Sequence, residues 1–510
     1  MVARLLRCPG RAGFAKPLVL SYYASLGQTP SPVRGFACRI VNIMNYVSTR
    51  GRVSPVGFAE AVMMGLATDG GLLVPAVIPQ VGRDTLRDWS RLSFQDLALE
   101  VMSPYVGGEI PREDLRGLIA RAYAGFSDPE VTPVVEAGGL KVLELFHGPT
   151  AAFKDVALQL LGNLFEYLLQ RDGGHLNILG ATSGDTGSAA IAGVRGKERI
   201  RILILHPKGR ISPIQERQMT TVLDPNVHNV AIRGTFDDGQ RIVKDLFNDL
   251  AFKAEYQLGA VNSINWARIL AQTIYYFYAW GRVSGGDPDR RLSFSVPTGN
   301  FGDCFACYLA KRMGLPADRI IVATNRNAIL TQFVHTGVYA AAEVHQTLSP
   351  AMDIQVASNF ERYLYFLHGG DAAIVRDLVE QMQSSGRLTV KGSRLNQVRA
   401  DFDATAVSDA DTLEQMRTTF AGSGYILCPH TATGVWAARV RGNAVCLATA
   451  HPAKFNEAVQ AAIGQDAPAP ESLRGLMEKA TRCTELDATT EAVRKHIRET
   501  LGAVDAAGPA

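Results

Sequence analysis

From about residue 131 to about residue 450, short apolar runs alternate with stretches of helical periodicity. This alternation predicts an α/β fold in which mostly parallel sheets are covered by helices on both faces. In such sheets, ligands bind beyond the carboxyl ends of the strands. The predicted strands are Val142–Phe146, Leu176–Leu179, Arg199–Leu205, Val227–Ile232, Leu292–Val296, Ile320–Ala323, Tyr425–Leu427 and Ala444–Ala448.

The 510 residues divide into four predicted parts, and the chain is long enough to bury a large core. Residues 1–43 form an extension outside the fold, and residues 44–130 form a small, mostly helical N-terminal domain. Residues 131–470 form the α/β region that carries the chemistry, and residues 471–510 form C-terminal helices with a frayed tail. Helices of the N-terminal domain are predicted at Phe58–Gly65, Leu92–Met102 and Arg112–Ala124.

The extension differs from the rest of the chain in charge. It holds six of the 52 basic residues and none of the 49 acidic residues, so the remaining chain is slightly acidic. We therefore expect no nucleic-acid partner. The extension resembles an organellar targeting segment, but Met44 offers a second start, so a targeting segment and an early start codon both stay open. The sequence contains no run of about 18 uncharged apolar residues, which is the length that a membrane-spanning helix needs. We expect a cytoplasmic protein.

The seven cysteines are scattered, which does not indicate a disulfide framework in a chain of this size. Cys304 and Cys307 are spaced as a redox pair would be, but the sequence favours two buried thiols on one helix. No second motif of this spacing and no histidine cluster accompanies them, so we predict no metal site.

One lysine lies where a strand meets a helix. The apolar run that ends at Phe146 is broken by His147-Gly148-Pro149, and Thr150 follows as the predicted N-cap of a helix that spans Ala151–Leu164. Lys154 then lies in the first turn, where the helix dipole and apolar neighbours disfavour the ammonium form. Such an amine can form a Schiff base with an aldehyde cofactor. The alternative is an ordinary surface lysine on an amphipathic helix.

Three loops after predicted strands are rich in glycine and small hydroxyl residues, at 180–187, 297–303 and 429–434. A glycine-rich turn that leads into a helix exposes backbone N–H groups to an anion, and the helix dipole reinforces the attraction. Each loop alone is a weak signal, because glycine often serves only to form a turn. Together with Lys154, the three loops suggest a phosphorylated aldehyde cofactor, for which pyridoxal phosphate (PLP) is the obvious candidate.

Seven motifs give this chain a specific resemblance. In order, they read HGPTAAFKD, ATSGDTG, KGRISPIQ, VNSINWARILAQ, VPTGNFGD, PHTATG and ATAHPAKF. The chain resembles the threonine synthase family over about residues 45–460. This resemblance implies a fold type II PLP enzyme, related to the tryptophan synthase β subunit. It also implies the conversion of O-phospho-L-homoserine and water to L-threonine and phosphate.

The resemblance also implies roles for individual residues. Lys154 matches the lysine that binds PLP, and Thr449 matches the hydroxyl that faces the pyridine nitrogen. The motif VPTGNFGD matches the loop that holds the cofactor phosphate, with Gly299, Asn300, Phe301, Gly302 and Asp303. The motif ATSGDTG resembles the loop that binds the substrate carboxylate, with Ser183, Gly184, Asp185, Thr186 and Gly187. Because many relatives carry Asn at the position of Asp185, the role of that residue stays open.

The substrate phosphate needs a cation of its own. Lys208 follows a predicted strand that ends at Leu205, and we expect it to bind this phosphate, with Arg268 as the main competitor. Two other functions stay open, namely a PLP lyase for another phosphorylated hydroxy-amino acid and a non-catalytic binding protein of the same fold. We expect a monomer or homodimer with no membrane partner.

Overall fold

The fold is built from two parallel sheets and the helices that cover them. The structure, a computed structural model, describes residues 44–501, so the predicted extension 1–43 and the predicted frayed tail from residue 502 lie outside the described residues. The strands are β1 Tyr46–Ser48, β2 Leu73–Pro75, β3 Val134–Ala137, β4 Leu140–Glu144, β5 Leu176–Ala181, β6 Ile200–Pro207, β7 Val227–Arg233, β8 Leu258–Gly259, β9 Leu292–Pro297, β10 Ala317–Thr324, β11 Val338–Ala340, β12 Arg387–Thr389, β13 Phe402–Ala406, β14 Val445–Ala448 and β15 Thr484–Asp487.

Helices connect most of these strands. They are α1 Phe58–Met64, α2 Arg83–Trp89, α3 Phe94–Val106, α4 Arg112–Tyr123, α5 Lys154–Asp172, α6 Asp185–Val194, α7 Pro213–Thr220, α8 Phe236–Asn248, α9 Leu250–Glu255, α10 Trp266–Ser284, α11 Gly302–Met313, α12 Ile329–Thr336, α13 Phe360–Leu367, α14 Ala372–Ser385, α15 Ser393–Asp401, α16 Asp409–Ser423, α17 Pro429–Arg441, α18 Asn456–Ile463 and α19 Thr490–Leu501. Among residues 44–501, no helix has the length and apolar character needed to cross a membrane.

The two sheets confirm the predicted α/β fold. The larger sheet has the strand order β13-β10-β9-β14-β4-β3, and only the β3–β4 pair is antiparallel. The smaller sheet has the order β15-β7-β6-β5-β8 and is parallel throughout. Parallel strands that follow helical crossovers all point the same way, so their carboxyl ends collect on one edge of each sheet.

One apolar core joins the two sheets. It includes Leu143 of β4 and Ile178 of β5, together with most of α5 and α10. Helix α10 is rich in aromatic residues and buried on almost every face, as expected of a helix that packs inside a domain rather than on its surface. Cys304 and Cys307 are both buried on α11, which confirms the interpretation as two core thiols.

The N-terminal part is mostly helical, as predicted, and also contains the small antiparallel sheet β1–β2. Its predicted helices correspond to α1, α3 and α4, with α1 ending before Gly65. The buried guanidinium of Arg362 donates to the carbonyls of Leu73 on β2 and Ile264 before α10, at 3.0 and 2.5 Å. The described residues fall into one compact unit, and domain boundaries at residues 130 and 470 stay predictions.

The helix that carries Lys154 begins later than the sequence indicates. Phe153, not Thr150, is its N-cap residue, because Ala151 adopts a left-handed backbone conformation with φ of 55°. The hydroxyl of Thr150 donates instead to Asp155 Oδ1 at 2.8 Å. Thr150 is therefore wrong as an N-cap, and its side chain closes the turn before the helix.

The predicted strand at 425–427 is also wrong. These residues pair with no strand of the described chain, and they lead into α17 through the N-cap residue Cys428. The Tyr425 hydroxyl donates to Glu144 Oε1 at 2.7 Å, so the segment is held by its side chain.

Helices α5 and α6 pack closely because glycine lies on both sides of their contact. A Cβ atom at Gly162 would overlap the carbonyl oxygen of Gly193, and one at Gly193 would lie 2.5 Å from the carbonyl oxygen of Leu158. Both obstacles are backbone atoms, which cannot rotate out of the way. Any side chain at these positions must push the two helices apart.

We expect Gly162→Ala to destabilise the protein by about 1–3 kcal/mol, because the added methyl group overpacks this contact. The matched control is Gly422→Ala in α16, where no atom lies within 4 Å of the added Cβ. In an open helical position, Ala should be neutral or stabilise by up to about 1 kcal/mol. Denaturant unfolding of both variants measures the difference, and equal effects would contradict the close packing of α5 on α6.

Candidate active site

Loops that follow four strands line one cavity. Strands β4, β9 and β14 of the larger sheet and β5 of the smaller sheet all end there. The cavity therefore lies at the edge where the sequence predicts a ligand site. Its walls include Phe153, Lys154, Asp185, Thr186, Ser263, Arg268, Gln272, Thr298, Gly299, Asn300, Phe301, Gly302, Asp303, Met352, His430, Thr449 and Ala450.

Lys154 is the first residue of α5, and its side chain is 11% exposed. Burial lowers the pKa of the Lys154 amine below its ordinary value. The carboxylate of Asp185 raises this pKa, whereas the charges of Lys454 and Arg268 lower it further. An amine with a lowered pKa gives up its proton more readily and becomes a better nucleophile.

Asp185 lies between two lysines. Its Oδ2 is 3.6 Å from Lys154 Nζ, and its Oδ1 is 2.7 Å from Lys454 Nζ. The side-chain amide of Gln215 also donates to Oδ1, at 2.9 Å. Burial alone would raise the pKa of Asp185, but the charges of Lys454 and Lys154 outweigh burial and lower it. Asp185 is therefore an ionised carboxylate inside the protein.

The loop at residues 299–303 is shaped to bind an anion. Phe301 adopts φ of 61° and serves as the N-cap residue of α11, whose first-turn N–H groups lack acceptors within the helix. A Cβ atom at Gly299 would lie 2.6 Å from the Ala351 carbonyl oxygen, so only glycine fits there. All five residues of the motif line the cavity, and their role as the cofactor phosphate loop stays a prediction: Gly299, Asn300, Phe301, Gly302 and Asp303.

Asp303 is the acidic member of this loop. Its Oδ1 accepts hydrogen bonds from the hydroxyls of Tyr275 and Tyr276, the second at 2.7 Å. Its Oδ2 has no hydrogen-bond partner among the described residues. Burial raises the pKa of Asp303 to about 6. The hydroxyls of Tyr275 and Tyr276 oppose this shift, because they donate to the ionised carboxylate and lower its pKa.

Arg268 brings an unpartnered cation to the cavity. Its guanidinium is buried, and its Nε and Nη1 have no hydrogen-bond partner among residues 44–501. Burial lowers the pKa of Arg268 to about 10, so the group stays charged at neutral pH. One turn further along α10, Gln272 Oε1 is also buried without a partner. Buried groups of this kind are costly unless a ligand satisfies them.

The predicted carboxylate loop reaches the cavity only in part. Asp185 and Thr186 line the cavity, whereas Ser183 is exposed and does not. The N–H groups of Gly184 and Gly187 donate to the Thr182 hydroxyl at 3.0 and 2.9 Å, so they are not free to bind a ligand. The remaining donors are the Thr186 hydroxyl and the N–H groups of Asp185 and Thr186 at the start of α6.

The structure does not bring Lys208 to the cavity. Its Nζ lies 2.6 Å from Glu485 Oε1 on β15, and its side chain is 52% exposed. The same carboxylate also lies 3.7 Å from Arg233 at the end of β7. The expectation that Lys208 binds the substrate phosphate is therefore not met, because an acidic strand far along the chain already pairs with it. Arg268, the competitor, is the cation that lines the cavity.

Sequence reasoning missed His430, although it lies in the third glycine-rich loop. The backbone N–H of Ala351 donates to His430 Nε2 at 3.2 Å, so the proton of the neutral ring lies on Nδ1. That Nδ1 is buried without a partner among the described residues. Burial lowers the pKa of His430 to about 3, so the ring stays neutral. His430 thus offers the cavity one hydrogen-bond donor and no charge.

Comparison with known proteins agrees with this geometry. Three family models match the chain, those for the threonine synthase N terminus over residues 45–123, for pyridoxal-phosphate dependent enzymes over residues 128–448, and for the threonine synthase C-terminal region over residues 431–497. Threonine synthase of Pseudomonas aeruginosa is 48% identical over 450 residues, which cover 87% of this chain and 96% of that protein.

The chain belongs to the threonine synthase family. Two crystal structures of that family share its fold. PLP-bound threonine synthase from Brucella melitensis has a TM-score of 0.87 and 46% identity, covering 90% of this chain and all of that one. Threonine synthase from yeast has a TM-score of 0.86 and 45% identity, covering 90% of this chain and 99% of that one.

Threonine synthases are PLP-dependent enzymes, and the cavity suits this cofactor. Lys154 could offer an amine of lowered pKa to the aldehyde, and the first turn of α11 could offer N–H groups to the phosphate. Thr449 lines the same cavity and can offer a hydroxyl to the pyridine nitrogen. The close approach of Gly299 to the Ala351 backbone fixes the path of this loop, since a side chain there would push the two segments apart.

We expect Lys154→Ala to abolish turnover and the yellow colour of the purified protein, because the variant has no amine to hold the cofactor covalently. The variant should still fold, since Lys154 makes no hydrogen bond that the fold needs. Visible absorption, borohydride reduction and melting temperature measure these outcomes. A variant that retained a borohydride-reducible linkage would contradict the assignment.

We expect Thr449→Val to raise the Kd for PLP about 2- to 10-fold, because one hydrogen bond of roughly 0.5–1.5 kcal/mol is lost. Thr449→Ser keeps the hydroxyl and serves as the control. Titration of the cofactor-free protein with PLP measures both constants. Equal affinities for the Val variant and the unaltered protein would remove Thr449 from the site.

Proposed function

We propose that this protein converts O-phospho-L-homoserine and water to L-threonine and phosphate. The observation that carries the proposal is one buried cavity that presents the Lys154 amine together with two separate places for anions. One is the first turn of α11, and the other is the unpartnered guanidinium of Arg268. Every amino-acid substrate also carries a carboxylate, which needs a further place of its own. Besides that place, a cofactor phosphate and a substrate phosphate require the two named here, whereas a lyase for an amino acid without a phosphate needs only the first.

The reaction needs protons to be moved at several carbons. Phosphate can leave Cγ only after protons have left Cα and Cβ, and water then adds at Cβ. PLP, when bound, supplies the electron sink for these steps. Lys154 is the proposed proton carrier, because its buried amine has a lowered pKa and lies at the first turn of α5. A single amine that both accepts and returns protons is consistent with the small number of titratable groups on the cavity wall.

The substrate carboxylate is proposed to bind at the first turn of α6. The Thr186 hydroxyl and the N–H groups of this turn are the donors there, and the helix dipole favours an anion. Asp185 would repel a carboxylate if it were free. Its charge is instead balanced by the two lysines that contact it, Lys154 and Lys454.

The substrate phosphate is proposed to bind Arg268. A buried guanidinium without a carboxylate partner can form charge-assisted hydrogen bonds to a phosphate without first breaking an ion pair. The neutral Nδ1–H of His430 is a second donor on the same cavity wall. We further propose a cytoplasmic monomer or homodimer that acts on this small molecule and not on nucleic acid.

The test is to assay the purified, yellow protein for threonine and phosphate with O-phospho-L-homoserine and, in parallel, with O-phospho-L-serine. The proposal requires both products from the first substrate and little phosphate from the second. Faster phosphate release from O-phosphoserine would make the protein a different lyase. A yellow protein that bound O-phosphohomoserine without turnover would make it a binding protein.

We expect Arg268→Met to raise the KM for O-phospho-L-homoserine about tenfold or more, because charge-assisted hydrogen bonds are lost. The ligand-free variant should also melt at a higher temperature, since an unpaired buried charge is replaced by an apolar side chain. Lys208→Met is the matched control, and its KM should stay within about twofold because Lys208 pairs with Glu485 at the surface. A raised KM for Lys208→Met with an unchanged KM for Arg268→Met would instead assign the substrate phosphate to Lys208.

A further inference from the structure

Lys454 is a fully buried lysine in the motif ATAHPAKF, and no role is predicted for it from the sequence. It lies in the short turn Pro452–Phe455 after β14, and none of its side chain is exposed. Its Nζ is 2.7 Å from Asp185 Oδ1 and donates to the Thr150 carbonyl at 2.8 Å. It does not line the cavity, so it contacts the site from behind Asp185.

A buried ammonium needs a strong reason to be retained. Removing such a charge from water costs several kcal/mol, and an ion pair recovers this cost only with good geometry. Structural support alone does not require the charge, because Gln218 also donates to the Thr150 carbonyl, at 2.9 Å. The requirement comes instead from Asp185, whose two oxygens face two different lysines.

The two contacts of Asp185 are unequal. Oδ1 accepts from both Lys454 and Gln215 at hydrogen-bond distance, whereas Oδ2 is 3.6 Å from Lys154 Nζ. Asp185 thus forms a close ion pair with Lys454, outside the cavity, and a longer one with Lys154, inside it. Without Lys454, Lys154 would be the only lysine or arginine of residues 44–501 that pairs with this carboxylate, and an isolated pair would hold Lys154 as an ammonium.

We propose that Lys454 is a positioning residue that binds Asp185 and thereby leaves Lys154 free to lose and regain its proton. The inference rests on the proposed role of Lys154 as proton carrier. Lys454 itself touches neither the cavity nor the reacting atoms. Its effect is electrostatic, since it shares the attraction of Asp185 and adds a like charge near Lys154.

Lys154 also has charged or titratable neighbours that the variants described below leave unchanged. They come from three further elements that line the cavity, and they are Arg268 on α10, Asp303 on α11 and His430 on α17. Any change in the titration of Lys154 between the variants below therefore reports on Lys454 and Asp185.

The experiment measures the titration of Lys154 in the full-length protein freed of cofactor. Competitive acetylation with acetic anhydride over a range of pH, followed by mass spectrometry of the Lys154 peptide, gives the midpoint at which this amine becomes reactive. Lys454→Met should move the midpoint to higher pH, and Asp185→Asn should move it to lower pH. The double variant should lie between the two. Each unit of upward shift lowers the labelling rate near neutral pH about tenfold.

Lys197→Met is the matched control. Lys197 is also a largely buried lysine paired with a carboxylate, because its Nζ lies 2.6 Å from Glu166 on α5. Removing it should affect stability but leave the Lys154 midpoint unchanged. If Lys454→Met lowered the melting temperature without moving that midpoint, Lys454 would be only a structural residue.

Two features keep the test decisive. If Lys454→Met does not fold, Lys454→Gln removes the same charge while its amide can still donate to Asp185 and to the Thr150 carbonyl, and its midpoint must rise. An unchanged midpoint in that variant would overturn the inference. The titration uses neither substrate nor turnover, so its failure differs from failure of the proposed function, which shows in the product assay with O-phospho-L-homoserine.

Discussion

The position of the reactive amine depends on a turn that Asp155 closes. The carboxylate of Asp155 accepts from both the backbone N–H and the hydroxyl of Thr150, each at 2.8 Å. On its other side, the Thr150 carbonyl accepts from Gln218 and Lys454. Burial raises the pKa of Asp155 to about 6, even though these hydrogen bonds oppose the shift. Lys154 lies inside this closed turn, so backbone and buried side chains place the amine before any ligand binds.

Much of the site could be predicted because its signals are local. A strand, a glycine-rich turn and a helix follow each other within about ten residues, and this pattern indicated Lys154 and the loop at 299–303. Parallel strands then bring such loops to one edge, whatever their order in the sequence. The same reasoning misplaced the N-cap at Thr150, because the competing hydrogen bond to Asp155 forms only when the side chain is buried.

The remaining residues depend on contacts between distant segments. Lys208 follows a strand, as a phosphate-binding lysine would, but Glu485 on β15 pairs with it, and nothing near Lys208 in the sequence signals this neighbour. Lys454 resembles a polar turn residue in the sequence, and its complete burial against Asp185 follows from the pairing of β14 with β4 together with the packing of α5 on α6. Arg268 resembles an ordinary helical arginine in the sequence, and only the folded structure shows that its guanidinium has no partner among residues 44–501.

The glycine contact between α5 and α6 links the two sheets mechanically. Lys154 and Asp185 each begin a helix, and Gly162 and Gly193 each lie eight residues further along. Each helix therefore extends about 12 Å from this contact to a charged group at its first residue. A rotation of either helix by about 5° about the contact would move its charged group by about 1 Å. Selection for an accurate distance between amine and carboxylate would thus act on two residues that carry no side chain and touch no ligand.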